Sequence, residues 1–544
     1  NMVQRPELYR NRRHHNRYLS DILNIQLQQR RVAQFVLPTR HFRRKERFMK
    51  RCSGVLLPIF SLPSPYGIGT LGKAAYDWID FLHEAGQQLW QVLPIGPTSF
   101  GDSPYQSFSA FAGNPYFIDL EQLCEDGLLQ KEDCAPLADQ ADSAAIDYAK
   151  QYQYRYAILK KAYSRFDNPN EISRFRKAHN WADDYALFMA LKDSYNGRAW
   201  TQWPSAIRKR ERHVLEKARQ ELQSEVDFYV FLQLLFYTQW KKLAAYARAH
   251  NVKIIGDIPI YVALDSADAW ANPELFLLDE EDRPVLVAGC PPDAFTADGQ
   301  LWGNPLYRWD LMQETGFQWW KERLSGSFEL YDCLRIDHFR GFESYYAIPY
   351  GDKTARNGAW QKGPGKAFVD SIKEAFPDIP IIAEDLGYLT PEVRELLEYS
   401  GFPGMKVLQF AFDAREKSDY IPFKYPKNCV VYTGTHDNDT ILGWLRSAPP
   451  TSVRYAKSYL LCETAADETC VDFFVSAALS CAADWAVIPI QDWLRLGHEE
   501  RINTPSTLGG NWVWRLRSGS CTKALAKEMR RKTELYERNS VIEP

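Results

Sequence analysis

Four residues with strong chemistry crowd the stretch RIDHFRG, 335–341: Arg335, Asp337, His338 and Arg340. They directly follow an apolar run, YDCL, that reads as a buried strand reaching its end. Acids and histidines recur at similar positions elsewhere: Asp257 in GDIP, Glu384 and Asp385 in AEDLG, and His436 and Asp437 in GTHDND. Converging carboxylates suit three chemistries: they can hold a divalent metal, cleave a glycosidic bond as a pair, or cap the helices that follow. Taken singly, each acid is open to the capping role. Arg335 helps to choose for the set. It lies two positions before Asp337, so both side chains leave the same face of a strand. A guanidinium there keeps the carboxylate ionised, as a nucleophile requires, and opposes a cation beside it. Glu384 follows IPIIA, an apolar setting that raises a carboxyl pKa and suits a general acid.

Acids so far apart in the chain need a scaffold that gathers strand ends. From Ser53 onward, apolar runs alternate with helix-like segments, as buried parallel strands do. The runs are 54–60, 89–95, 252–262, 331–337, 379–386, 405–412, 429–437 and 485–494. Eight of them predict a (β/α)8 TIM barrel, whose active sites sit where the strand C-termini meet. Two insertions interrupt the rhythm. Residues 120–225 are helix-like and charged, whereas 263–325 are loop-rich in Pro, Gly, Asp and aromatics, as a lid or binding loop is. The predicted layout is therefore a basic extension, 1–50, ahead of one catalytic barrel, 51–544.

The totals bound the function. A chain of 544 residues, 45% hydrophobic, is ample for a large core, and a net charge of −3 favours neither nucleic acid nor an anionic membrane. Aromatics make up 14% of the chain, a composition that suits a groove stacking on the apolar faces of a hydroxyl-rich ligand. The ten cysteines are scattered, with no zinc-type spacing, and read as reduced thiols of a cytoplasmic protein. The most apolar stretch, 228–240, is too short to span a bilayer and contains Gln233 and Gln239. Residues 1–50 carry 13 Lys and Arg against 3 Asp and Glu, which leaves a plastid transit peptide as the alternative location, although Ser20 is the only serine there. GIGTLG, 67–72, lacks the Lys-Ser/Thr of a phosphate loop, and its glycines read as a turn.

RIDHFRG, AEDLG and GTHDN, in this order, resemble the 4-α-glucanotransferases called amylomaltase or disproportionating enzyme, relatives of the α-amylase barrels. So do LLPIFSLPSPYGIGTLG (56–72), GDSPYQSFSAFAGNPYFIDL (101–120), GDIPIYV (256–262), PPDAFTADGQLWGNPLYRW (291–309) and RINTPSTLGGNWVWR (501–515). The resemblance implies Asp337 as nucleophile, Glu384 as acid/base and Asp437 as transition-state stabiliser. Arg335, His338 and His436 would hold the sugar at subsite −1, and Asp257 would match the acid after the third strand. Tyr105, Asp293 and Trp302 would lie along the donor and acceptor subsites. A lid at 288–304, with Phe295, would favour sugar over water. It implies an α-1,4-glucan donor, a glucose or maltooligosaccharide acceptor, and a retaining mechanism needing no cofactor and no metal. The alternatives are an α-glucan hydrolase on the same barrel, a metal hydrolase, and a non-catalytic glucan-binding protein, which would not need the acidic trio intact.

Overall fold

The computed structural model describes residues 51–539 except 100, 139, 142, 293–295, 379, 388, 416 and 508. The extension 1–50, Asp293 and Phe295 lie outside the described residues. Numbered in chain order, the strands are β1 (Cys52–Leu56), β2 (Leu89–Gln91), β3 (Lys253–Pro259), β4 (Leu286–Cys290), β5 (Gln300–Pro305), β6 (Cys333–Asp337), β7 (Ser344–Pro349), β8 (Ala359–Lys362), β9 (Ile381–Ala383), β10 (Gly404–Val407), β11 (Cys429–Tyr432) and β12 (Trp485–Pro489). β1, β2, β3, β6, β9, β10, β11 and β12 close into a barrel in that order. Each falls on one of the eight apolar runs, and every neighbour pair in the ring is parallel. Helices such as Lys73–Glu84, Gln318–Leu330 and Pro391–Ser400 connect successive strands.

The barrel interior is partly polar. Tyr432 on β11 donates across the interior to the Gln91 side chain on β2, three strands away round the ring, at 2.7 Å. The strands end early where side chains replace the ladder. β9 stops at Ala383, and the Asp385 carboxylate then accepts the Met405 N–H of β10 at 2.6 Å. Gly404 allows this, because a Cβ there would sit 2.8 Å from that carboxylate.

The 27-residue helix Gln223–Ala249 carries the apolar stretch 228–240. Its two buried glutamines are anchors. Gln233 accepts from the Gly113 N–H and donates to its carbonyl (2.7 and 2.9 Å), and Gln239 does the same for Asp119 (2.7 and 3.2 Å). Fully satisfied amides of this kind fix a loop without leaving a buried polar group unpaired. The loop so pinned, 92–119, carries Tyr105.

Residues 120–225 form a run of helices, among them Tyr148–Arg165, Ala182–Ser194 and Arg212–Glu221. The segment 263–325 differs from the loop-rich expectation. Within it β4 and β5 pair antiparallel, and with β7 and β8 they build a four-stranded sheet in the order β5-β4-β7-β8. Gly303 at φ 79° and Pro305 make the β5 sequence read as a turn. Among the described residues no helix is long and apolar enough to cross a membrane, and all ten cysteines are free thiols.

Candidate active site

The β3–β6 register sets Asp257 opposite Arg335 and Pro259 opposite Asp337. Facing residues on neighbouring strands project the same way, so the register alone delivers a guanidinium to two carboxylates. Arg335 Nη1 donates to both oxygens of Asp257 (2.8 and 2.7 Å), and Nη2 to Asp337 Oδ1 at 2.8 Å. Its Nε lies 3.3 Å from Met405 Sδ. Asp257 is fully buried and Arg335 only 3% exposed, whereas the Asp337 side chain is 30% exposed at the barrel mouth. Burial outweighs the neighbouring guanidinium and holds the Asp257 carboxyl above the usual range; the two acids hold Arg335 firmly protonated. The Tyr105 hydroxyl completes the Asp257 site, donating to Oδ2 at 2.8 Å.

Glu384 stands beside this pair. Ile336 faces Ala383 across the β6–β9 ladder, Glu384 N–H donates to the Ile336 carbonyl (3.0 Å), and Phe339 N–H donates to the Glu384 carbonyl (3.0 Å). The strands thus stay paired one step further, which places Glu384 next to Asp337. Both Glu384 carboxyl oxygens accept backbone N–H groups at 2.7 Å, Oε2 from His338 and Oε1 from Leu386. His338 reaches this position in the left-handed region, φ 57°, a costly conformation for a residue with a Cβ. Burial, reinforced by the Asp337 charge, pushes Glu384 up to about 8 against Arg335 and the two N–H groups. Burial also brings the His338 imidazole down to about 4, despite Asp337, so it is neutral at neutral pH. The Trp302 and His338 rings meet edge-on, centroids 4.8 Å apart.

The third acid follows β11. Asn438 Oδ1 accepts from Thr435 N–H and Oγ1 (2.8 and 3.0 Å), folding GTHDN into a tight turn that presents His436 and Asp437. His436 stacks on Tyr105 (5.1 Å between centroids), and Trp512 packs against both rings. Asp437 Oδ1 accepts from the Asn503 amide at 2.6 Å, while Oδ2 lies 3.4 Å from His436 Nε2. Tyr105 binds this cluster together: its hydroxyl is raised well above its ordinary value by burial and by the charges of Asp257, Asp337 and Asp437, with Arg335 opposing.

The structure therefore brings Tyr105, Asp257, Trp302, Arg335, Asp337, His338, Glu384, His436 and Asp437 to the strand C-termini. Asp385, a strand-end acid like its neighbour, turns instead to the β10 backbone and is structural. Asn503, Arg501 and Trp512 join the site from RINTPSTLGGNW, a segment with no buried-strand signal whose one sequence mark is the family resemblance. Arg335 occupies the space between two carboxylates that a metal would need, and among the described residues no group of three His, Cys, Asp or Glu is placed to hold one.

A closed parallel barrel presenting an arginine-bridged carboxylate, a buried carboxyl and a third acid at its strand ends has the fold and charge arrangement of an enzyme of glycosyl chemistry. The model of glycoside hydrolase family 77, described as 4-alpha-glucanotransferase, matches residues 57–522, and the chain belongs to this family of enzymes. It is 49% identical over 490 residues to a 4-alpha-glucanotransferase of Clostridium butyricum, covering 88% of this chain and 99% of that one. It is 48% identical over 502 residues to a 4-alpha-glucanotransferase of Thermus thermophilus, covering 90% and 99%. Among solved structures, an amylomaltase from Streptococcus agalactiae in complex with acarbose superposes with a TM-score of 0.87 at 40% identity, covering 90% of this chain and 100% of that one.

Proposed function

We propose that this 4-α-glucanotransferase moves α-1,4-glucan segments between maltooligosaccharides, or onto glucose, by double displacement through a glucosyl ester of Asp337. Residues 51–544 act as one catalytic barrel, following the basic extension in sequence. The observation that carries the reading is the pairing of an arginine-held carboxylate, Asp337, with a buried carboxyl, Glu384, on adjacent strand ends. The free thiols suit a reducing, cytoplasmic setting.

In the first step Asp337 attacks the anomeric carbon, the glycosidic bond breaks, and Glu384 gives its proton to the departing 4-oxygen. In the second, ionised Glu384 takes the proton from an incoming sugar 4-OH, which displaces Asp337 from the anomeric carbon. Two inversions give net retention. Arg335 orients Asp337 for attack through the bond to its Oδ1 and stabilises it as a leaving group afterwards. Asp437 Oδ2 faces the site as an acceptor for ring hydroxyls and a counter-charge for the oxocarbenium-like transition state. The two backbone N–H groups on the Glu384 carboxyl favour its anion, which helps it give up the proton in the first step and serve as base in the second. Tyr105, Trp302 and Asp293 are assigned to the donor and acceptor subsites, and Phe295 to a lid that keeps water out while a sugar is bound.

The test is incubation with maltotriose. A ladder of longer maltooligosaccharides plus glucose is expected, whereas glucose and maltose without a ladder would mean hydrolysis and remove the transfer reading.

The pH profile gives a second expected result. Glu384, raised to about 8, is protonated at neutral pH and ready as the acid. As pH rises through that region it loses the proton, so kcat/KM on maltotriose should fall along a basic limb near 8. A rate that stays flat through that range while the protein remains folded would separate Glu384 from proton transfer.

A further inference from the structure

Asp437 is held by a segment far away in the chain, and that segment does more than pack. Asn503 Nδ2 donates to Asp437 Oδ1 at 2.6 Å, Asn503 N–H donates to the His436 carbonyl at 3.2 Å, and Arg501 Nη2 donates to the Asp437 carbonyl at 2.6 Å. Arg501 Nε ties back to the Asn503 carbonyl at 2.7 Å, and Trp512 N–H closes the segment onto Ile502 at 2.8 Å. Between Asn503 and Trp512 the chain is largely exposed, and Ser506, Gly509, Gly510 and Trp512 all adopt positive φ. An irregular loop thus has one foot on the Asp437 carboxylate and the other on the His436 and Tyr105 rings.

We infer that Asn503 is a positioning residue for the reaction: its amide fixes Oδ1 of Asp437 so that Oδ2 alone is presented to the sugar. The inference rests on Asp437 acting as the transition-state stabiliser. A carboxylate free to rotate must be ordered during the reaction, whereas one oxygen tied by a neutral donor leaves the other already aimed. The donor must be neutral and must donate. A cation would draw charge away from the developing oxocarbenium, and an acceptor would repel the carboxylate. Arg501 meets only the backbone oxygen and leaves the Asp437 side-chain charge unspent.

The experiment compares Asn503→Ala with Asn503→Asp on maltotriose across pH. Loss of a hydrogen bond to a charged group predicts a fall in kcat of roughly ten- to a hundredfold for Asn503→Ala, at all pH values, with KM little changed. Asn503→Asp should behave differently. Two carboxyls in hydrogen-bond contact share one proton. While it is retained, the introduced carboxyl donates to ionised Asp437 as the amide did, so kcat at acid pH should approach that of the parent. As pH rises and the shared proton leaves, the repelled carboxylates part and kcat should collapse toward the alanine level. The other charged or titratable groups of the cluster, His436, Arg501, Tyr105, Asp257 and Arg335, are present in all variants. Melting temperature measured at each pH separates this from unfolding. Equal, pH-independent losses in both variants, or an unaltered kcat in Asn503→Ala, would overturn the assignment. Asp437→Asn serves as the control for the underlying reading: if it retained full activity, Asp437 rather than Asn503 would have been misassigned.

Discussion

Asp337→Ala and Glu384→Ala should both be nearly inactive on maltotriose, yet only Glu384→Ala should accumulate a covalent glycosyl-enzyme from an α-glycosyl fluoride. The two losses have different origins. Without Asp337 no nucleophile remains on that face of the sugar, and a loss on the order of 10⁵-fold is expected. Without Glu384 the nucleophile and Arg335 are intact, but a poor leaving group departs unprotonated, worth roughly 10²–10⁴-fold. Fluoride needs little protonation, so the first step recovers in Glu384→Ala. The second step does not, because no base remains to activate the acceptor, and the intermediate builds up. Mass spectrometry of the denatured, digested protein should find the sugar on Asp337. An adduct on any other residue, or rescue of Asp337→Ala by the same donor, would overturn the assignment.

The barrel was legible because parallel strands buried on both faces write themselves as apolar runs, and all eight were in the sequence as such. The strand-end acids were legible for the same reason, since an acid closing an apolar run stands out. Arg335 and Asp337 sharing a face followed from period two alone. What was hidden depends on register between distant strands. Nothing local in GDIP says that Asp257 will face Arg335 and take two of its hydrogen bonds. Nothing in AEDLG separates Glu384, clamped by backbone N–H groups, from Asp385, spent on the β10 backbone. The second sheet was hidden because β5 carries Gly and Pro, the usual marks of a turn, and because the strands of the sheet come from both sides of RIDHFRG. Asn503 was hidden because a short amide side chain in a Thr-, Pro- and Gly-rich loop has many dull explanations, and only its 2.6 Å contact with Asp437 distinguishes it.

The buried Arg335 gives the second large effect. Arg335→Met should destabilise the protein by about 3–5 kcal/mol at neutral pH and also abolish transfer. The side chain is 3% exposed, and its partner Asp257 is fully buried. Methionine fills much of the volume but leaves Asp257 with only the Tyr105 hydroxyl, an uncompensated carboxylate where water does not reach. That carboxyl is already above its ordinary range beside Arg335 and must rise further without it. A carboxyl whose folded-state pKa exceeds its unfolded one binds its proton more tightly when folded, so stability is lost as pH rises through the folded-state value. The deficit of Arg335→Met relative to the parent should therefore shrink as pH falls and Asp257 takes up a proton. Adding Asp257→Asn separates the two roles of the arginine. The double variant removes both buried charges together and should regain most of the stability, because the penalty belongs to the unpaired ion. Activity should stay lost, since Asp337 still lacks the guanidinium that orients it and stabilises it as a leaving group. Urea denaturation at two pH values, alongside maltotriose turnover, measures both. Stability recovered together with activity would mean that Arg335 serves only the buried pair; a double variant no more stable than Arg335→Met would mean that the cost is packing and not charge.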